Sequence, residues 1–162
     1  MEITLRLPIL SDAETILSWE NNRENWHVSD NDSPYSLEDI IELILSFQTS
    51  EKPEQIRFII HSEELLLGAV DLFDINYENK SGAIGILIAE QEFRRKGAAT
   101  MALDLIENEA LKLGIERLTA SIHSENVQSC ALFGKMGYLI VSNEKMKDAQ
   151  IISIEKWVKK ES

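Results

Sequence analysis

The stretch FRRKGAATMALDL, Phe93 to Leu105, decides how this chain is read. Two arginines and a lysine run into one glycine and a pair of alanines, after which Ala102, Ile106, Ala110 and Leu113 recur at helical spacing. A helix N-terminus presents unsatisfied N–H groups and a partial positive charge, so small residues there let an anion approach the backbone itself. Gly97, Ala98 and Ala99 supply that bare backbone, and Arg94, Arg95 and Lys96 supply countercharge. The stretch reads either as a phosphate cradle or as a solvated basic turn before an amphipathic helix, and its surroundings decide between them.

Immediately upstream, AIGILIA from Ala83 to Ala89 reads as a strand; downstream, Gly114 is placed to end the helix as a left-handed cap. Leu118, Ala120 and Ile122 then alternate as a strand over 115–123. Because the crossover contains a helix, the two strands are expected to run parallel. Further upstream, IRFIIH at Ile56 to His61 and LLLGAVDLFDI at Leu65 to Ile75 precede the turn-rich NYENKSG, which makes three adjacent antiparallel strands with 83–89. Nearer the N-terminus, Ile3 to Leu7 alternates as a half-buried strand, and Ser11 with Glu14 resembles a capping box opening a helix through Ile16 and Leu17. Ser36 and Asp39 give the same signal ahead of Ile40, Ile41, Ile44 and Leu45, which share one helix face. The pattern is a mixed α/β fold.

Composition narrows the field. A chain of 162 residues, 44% hydrophobic with 7 Gly and 3 Pro, has the size of one compact domain, expected to span 1–162. Lys and Arg number 16 against 28 Asp and Glu, and a formal charge of -12 repels phosphate backbones, so nucleic acid is not an expected partner. Cys130 is the only cysteine, which rules out an intrachain disulfide. The start MEITLRLPIL lacks the basic and long apolar regions of a signal peptide, and runs such as LLLGAV are too short to span a bilayer. A cytoplasmic location without a membrane partner is the expectation. His27, His61 and His123 have no metal-ligand spacing with Cys130, and no metal is expected.

After the 115–123 strand comes ENVQSCALFGKMGY, Glu125 to Tyr138, in which Asn126 can cap a short helix that Gly137 ends. With the first motif, this segment resembles the GNAT acetyltransferase superfamily. Arg94, Gly97 and Ala99 match its phosphate-binding pattern, and Asn126, Ser129, Phe133, Gly137 and Tyr138 match its Asn-to-Gly-aromatic segment. WENNREN at Trp19 to Asn25 and AVDLFDIN at Ala69 to Asn76 resemble the branch containing spermidine acetyltransferases and ribosomal-protein N-terminal acetyltransferases.

The resemblance implies a central, mostly antiparallel sheet flanked by helices, in which the parallel strands 83–89 and 115–123 splay apart and hold acetyl-CoA. Backbone at Leu87, Ile88 and Ala89 would hold the pantetheine arm, and amides from Arg94 to Thr100 would cradle the pyrophosphate. Asn126 would reach the arm from the other side, beside Phe133. The implied reaction is direct attack of a primary amine on the thioester. The acceptor is a polyamine or, in the rival reading, a peptide N-terminus; a third reading is an acyl-CoA-binding sensor that transfers nothing. In spermidine acetyltransferases the proton source is a tyrosine four residues before the final glycine of the second motif; here that position is Phe133, so no catalytic acid carries over. Glu20, Asp71 and Asp74 are candidate bases. The acceptor is expected between the first two helices and the sheet, with Glu20, Asn21 and Asp71 facing it and Trp26 and Tyr35 as apolar walls. Glu24, Asp30 and Asp32 add negative charge suited to a cationic amine. A homo-oligomer is also compatible with the resemblance.

Overall fold

The computed structural model describes residues 2–22, 35–47, 51–63, 65–89, 97–146 and 149–158. Among the described residues seven strands form one sheet: β1 (Thr4–Arg6), β2 (Ile56–Ser62), β3 (Leu65–Asn76), β4 (Ser81–Ile88), β5 (Arg117–His123), β6 (Leu139–Met146) and β7 (Ala149–Trp157). Their order is β1-β2-β3-β4-β5-β7-β6, and every neighbouring pair is antiparallel except β4 with β5. The helices are α1 (Ala13–Asn21), α2 (Leu37–Ser46), α3 (Ala98–Lys112) and α4 (Val127–Lys135). The parallel pair and its crossover helix α3 stand where the strand and helix periods placed them.

The period-two alternation of β2, β3 and β4 assigns the two sheet faces. Ile59, Ala69 and Leu87 lie in register across the three strands and pack against α1 and α2 through Ile16, Trp19, Ile40 and Ile44. One residue along, Phe58, Val70 and Ile86 face the larger core, which α3 fills with Ala98, Ala102, Leu103, Ile106 and Ala110. Thus α1 and α2 cover the β2–β4 part of one face, and α3 covers the other.

Local signals mostly act as the sequence suggests. Ser36 and Asp39 form the reciprocal capping box of α2, with Asp39 N–H donating to Ser36 Oγ at 3.1 Å and Ser36 N–H to Asp39 Oδ2 at 3.0 Å. Gly114 and Gly137 adopt φ of 84° and 93° where α3 and α4 end. The expected capping box at Ser11 and Glu14 does not form. Leu10–Asp12 is instead a short 3-10 turn leading into α1. Its buried Asp12 accepts from Ile9 N–H at 2.8 Å and from both Arg6 guanidinium nitrogens at 2.7 and 2.9 Å. Those hydrogen bonds, Arg6 foremost, hold the Asp12 carboxyl below its ordinary range.

Candidate functional site

The β4–β5 ladder consists of Ser81–Arg117, Gly82–Leu118 and Ala83–Thr119 and then stops, although β4 continues to Ile88 and β5 to His123. Beyond Ala83 and Thr119 the two strands separate, because each follows its own antiparallel neighbour: β4 stays paired with β3 as far as Ile88–Gly68, and β5 with β7 as far as His123–Ile151. The result is an opening in the middle of the sheet between two strand edges, which can accept an extended ligand through backbone hydrogen bonds. Leu87, Ile88 and Ala89 lie along the β4 side of it. Their side chains are structural: Leu87 and Ala89 pack toward α1 and α2, and Ile88 toward the α3 core.

Gly68 sets the shape of β4 there. A Cβ on Gly68 would lie 1.9 Å from the Leu87 carbonyl oxygen, so only glycine lets β3 approach β4 so closely. Ala89 N–H continues the contact, donating to Leu67 C=O at 2.8 Å.

At the far end of the opening α3 begins on Gly97, whose φ of 81° is left-handed. Among the described residues no side chain caps the helix, and its first turn holds no acidic residue. The amides of Ala98, Ala99 and Thr100 belong to the turn whose N–H groups have no intrahelical acceptor. Ala98 is fully buried, and among the described residues a Cβ on Gly97 would meet only Met101 Cε, at 3.8 Å. Such a helix start suits an anionic phosphate. Arg94, Arg95 and Lys96 lie outside the described residues.

Across the opening, β5 hands over to α4. Asn126 caps α4 by accepting Ser129 N–H on Oδ1 at 3.1 Å, which leaves its Nδ2 as the group able to donate to a ligand. His123, at the end of β5, accepts Asn126 N–H on its carbonyl at 2.9 Å. Phe133 is buried, its ring edge-on to Tyr138 with centroids 5.0 Å apart. Tyr138 donates its hydroxyl to Glu107 Oε2 at 3.1 Å, and Lys156 Nζ donates to both Glu107 oxygens at 2.8 and 3.1 Å. Burial, together with the Glu107 charge, pushes the Tyr138 phenol far above its ordinary value. Tyr138 is therefore a core residue with a committed proton.

On the α1–α2 face, the structure gathers four of the residues expected to face an acceptor around one that the sequence reading missed. Arg57 on β2 lies opposite Asp71 on β3 and binds it in a fork, Nε to Oδ1 at 2.6 Å and a terminal nitrogen to Oδ2 at 2.8 Å. The same terminal nitrogen lies 2.7 Å from Oε1 of Glu20, the penultimate residue of α1. Burial works against the guanidinium charge, but the Asp71 and Glu20 carboxylates prevail and raise the Arg57 pKa above its ordinary value. Asn21 holds Tyr35 through both backbone groups: Nδ2 donates to Tyr35 C=O at 3.0 Å and Oδ1 accepts Tyr35 N–H at 2.8 Å. The Tyr35 phenol is raised by burial and by the Glu20 charge, which places it in the field of the same cluster. Asp74, with φ of 48°, lies three residues beyond Asp71 toward the β3–β4 turn. Trp26, Glu24, Asp30 and Asp32 lie outside the described residues.

The register that pairs Asp71 with Arg57 pairs it on the other side with Gly85 of β4, two residues past the last ladder pair at Ala83. Gly85 has no side chain, and the Phe73 ring lies beside it, with Cε1 3.6 Å from where a Cβ on Gly85 would stand.

Comparison with known proteins agrees with this geometry. The acetyltransferase (GNAT) domain family matches residues 2–139. The spermidine N(1)-acetyltransferase of Vibrio cholerae is 24% identical over 142 residues, covering 85% of this chain and 79% of that protein. Mouse alpha/beta-tubulin-N-acetyltransferase 9 is 36% identical over 78 residues, 47% of this chain and only 32% of that protein, so the match spans about a third of its length. Among solved structures, Vibrio cholerae spermidine N-acetyltransferase in complex with CoA and spermine superposes with a TM-score of 0.83 at 21% identity, covering 96% of this chain and 95% of the other. The microcin C7 self-immunity acetyltransferase MccE, in complex with acetyl-CoA and AMP, gives 0.78 at 20% identity, covering 97% and 93%.

Proposed function

Because the chain belongs to the GNAT acetyltransferase family, we propose that its one domain, 1–162, moves an acetyl group from acetyl-CoA to a primary amine of a polyamine. The observation that carries this reading is the β4–β5 ladder ending at Ala83–Thr119, with an uncapped helix start on Gly97 at one end of the gap. The pantetheine arm fits the gap as an added strand, held by backbone at Leu87, Ile88 and Ala89 and by Asn126 Nδ2 from the other side. The amides of Ala98, Ala99 and Thr100, with Arg94, Arg95 and Lys96, take the pyrophosphate.

The chemistry asked of the chain is modest. The neutral amine attacks the thioester carbonyl, a β4 amide between Ile86 and Ile88 donates to the developing oxyanion, and the C–S bond breaks as the amide forms, the proton lost by the nitrogen passing through water to the departing thiolate. The acceptor approaches on the α1–α2 face of the sheet, with the Glu20–Arg57–Asp71 cluster and Tyr35 beside its path. Two carboxylates on this face favour a cationic amine over a peptide N-terminus, whose recognition relies more on strand-edge backbone. The Vibrio cholerae relatives named for spermidine acetylation support the same choice.

The test offers spermidine, spermine and a short peptide with a free N-terminus as acceptors and measures coenzyme A release, with acetylated product confirmed by mass. Release with a polyamine and not with the peptide is the expected result. Release with the peptide alone would move the acceptor to protein N-termini. Binding of acetyl-CoA without release for any of the three would favour an acyl-CoA sensor.

A further inference from the structure

We propose that the outer edge of β6 is the face on which two copies of this chain meet, about a two-fold axis through Ile140. The inference is independent of the reaction proposed above, because β5 and β7 stand between this edge and the β4–β5 opening.

β1 and β6 end the sheet, and among the described residues no strand pairs with the outer side of either. An unpaired edge is a template for another strand unless it is short, charged or bulged. β1 is blunted by its length of three residues. β6 has eight, and Glu144 and Lys145 guard only its second half. Its first half is Leu139, Ile140 and Val141, which are 72%, 67% and 54% exposed. The register spreads these side chains around the edge. Leu139 pairs with Glu155, so Trp157, two residues further along β7 and 58% exposed, lies diagonally beside it on the sheet face away from α3. Ile140 pairs with Ile154, which is buried in the α3 core, and so lies on the other face. Val141 falls at the register shift between Ile140 and Ser142.

The occupant that fits this edge is a second copy. An antiparallel partner centred on Ile140 sets Leu139 against the partner's Val141, Val141 against the partner's Leu139, and the two Ile140 side chains against each other. The next positions outward bring Ser142 to the partner's Tyr138, so no charged residue enters the contact. Beside it on β7, Glu155 is bound by Arg117 at 3.1 Å and Lys156 by Glu107 at 2.8 Å, so neither meets the other copy as a bare charge. Leu139, Ile140, Val141 and Trp157 together expose roughly 450 Å². A standard interface buries about 800 Å² on each partner, a little over half of it apolar, so this patch supplies the apolar share of a stable dimer. Pairing β6 with β1 of another copy would be head-to-tail and open-ended, whereas β6 on β6 closes with two. The bulge at Val141 limits a ladder between copies to the few residues around Ile140, and buried side chains carry most of the contact.

Sedimentation equilibrium on the full chain tests this. At about 100 μM the wild type should have twice the monomer mass of 18.4 kDa, falling toward 18.4 kDa on dilution. Leu139→Lys and Ile140→Lys, at positions open to solvent in the single chain, should each raise the dimer Kd by at least about a hundredfold with the fold retained by circular dichroism. Leu65→Lys, at a position 56% exposed on β3 with three strands between it and β6, should dimerise as the wild type does. A wild type of 18.4 kDa at every concentration overturns the proposal, and so does a dimer that both edge variants leave intact. Cross-linking tests the axis separately. In a Cys130→Ser background, copper–phenanthroline should join Ile140→Cys into a disulfide-linked dimer and leave Leu65→Cys unlinked, since facing residues of antiparallel strands lie within disulfide reach. Equal yields from the two cysteine variants would overturn the two-fold through Ile140.

Discussion

Gly97 offers the cleanest separation of backbone strain from electrostatics at the proposed pyrophosphate cradle. Its φ of 81° is a conformation that side chains other than asparagine and aspartate rarely adopt, while a Cβ there would meet only Met101 Cε at 3.8 Å, an ordinary contact. Gly97→Asn and Gly97→Asp thus share size, conformational tolerance and a stability cost of about 1 kcal/mol. They differ in one negative charge. If the amides of Ala98 to Thr100 hold a pyrophosphate, the aspartate stands about 6 Å from it, and an effective dielectric of about 40 gives roughly 1.4 kcal/mol of repulsion per phosphate charge. Two charges bring this to about 3 kcal/mol, or roughly a hundredfold in Kd. Titration calorimetry with acetyl-CoA should find Gly97→Asn within about fivefold of wild type and Gly97→Asp about a hundredfold weaker than Gly97→Asn. The gap should narrow as salt is raised. Equal affinities for the two variants, both folded, would refute the assignment, because no phosphate can then lie against the start of α3.

Other perturbations probe other parts of the site. Gly68→Ala puts a methyl 1.9 Å from the Leu87 carbonyl oxygen, so β4 must shift; thermal unfolding should show a loss of about 1–3 kcal/mol and calorimetry a weaker acetyl-CoA complex, and an unchanged Tm would contradict the close approach. Phe133→Tyr places a hydroxyl at the position to which the family resemblance assigns the acid; kcat should rise with acceptor KM unchanged, whereas an unaltered kcat would mean that thiolate protonation does not limit turnover. Asp12, whose carboxyl Arg6 holds below its ordinary range, stabilises the fold above the unfolded carboxyl pKa near 3.9, and that contribution disappears as pH falls through the lower folded value. Urea melts between about pH 5 and pH 2 should accordingly show a smaller acid loss in Asp12→Asn than in wild type; equal losses would place the acid sensitivity elsewhere.

What the sequence revealed, and what it hid, follows from the range of the signals involved. The β4–α3–β5 crossover was legible because each element carries its own period and Gly97 and Gly114 punctuate the helix. The left-handed Gly97 at the start of α3 was legible because its determinants lie within a few consecutive residues. The Arg57 cluster was not, and the reason is a single bulge. Near the β2–β3 turn the register pairs His61 with Leu66 and Ser62 with Leu65; continued regularly, it would set Arg57 opposite Val70. The irregularity at Ile60 and His61 moves the pairing by one, which turns Asp71 to the face of Arg57. Alternation within a strand does not announce such a step. The β6–β7 hairpin was also unread, and its first strand explains why: Leu139, Ile140 and Val141 are consecutive apolar residues, all exposed on an edge strand, with a register shift between Ile140 and Ser142 that erases period two. The Ser11 capping signal failed for a different reason, since Arg6 at the end of β1 and Ile9 N–H hold Asp12, and the chain forms a 3-10 turn there in its place.

The position of Phe133 bears on how such a site would work. A buried ring holds the position to which the family resemblance assigns a tyrosine acid, and the neighbouring Tyr138 cannot supply that proton: it is donated to Glu107, and burial raises the phenol far above its ordinary value. On the other side of the gap, Asp71 has both oxygens on Arg57 and Glu20 has one, so a proton accepted by either would weaken an ion pair that the fold has built. The well-ordered groups on both sides thus hold charge in place and do not relay protons. Under the proposed function, catalysis would rest on bringing an already neutral amine onto the thioester, with water taking and returning protons, and positioning of that kind would suffice for a good leaving group such as a thiolate. It follows that the rate should track the free-base fraction of the acceptor. Substituting amines of lower pKa at fixed pH should raise kcat/KM until nucleophilicity falls, and a rate indifferent to amine pKa would mean that a side chain of the chain itself takes the proton.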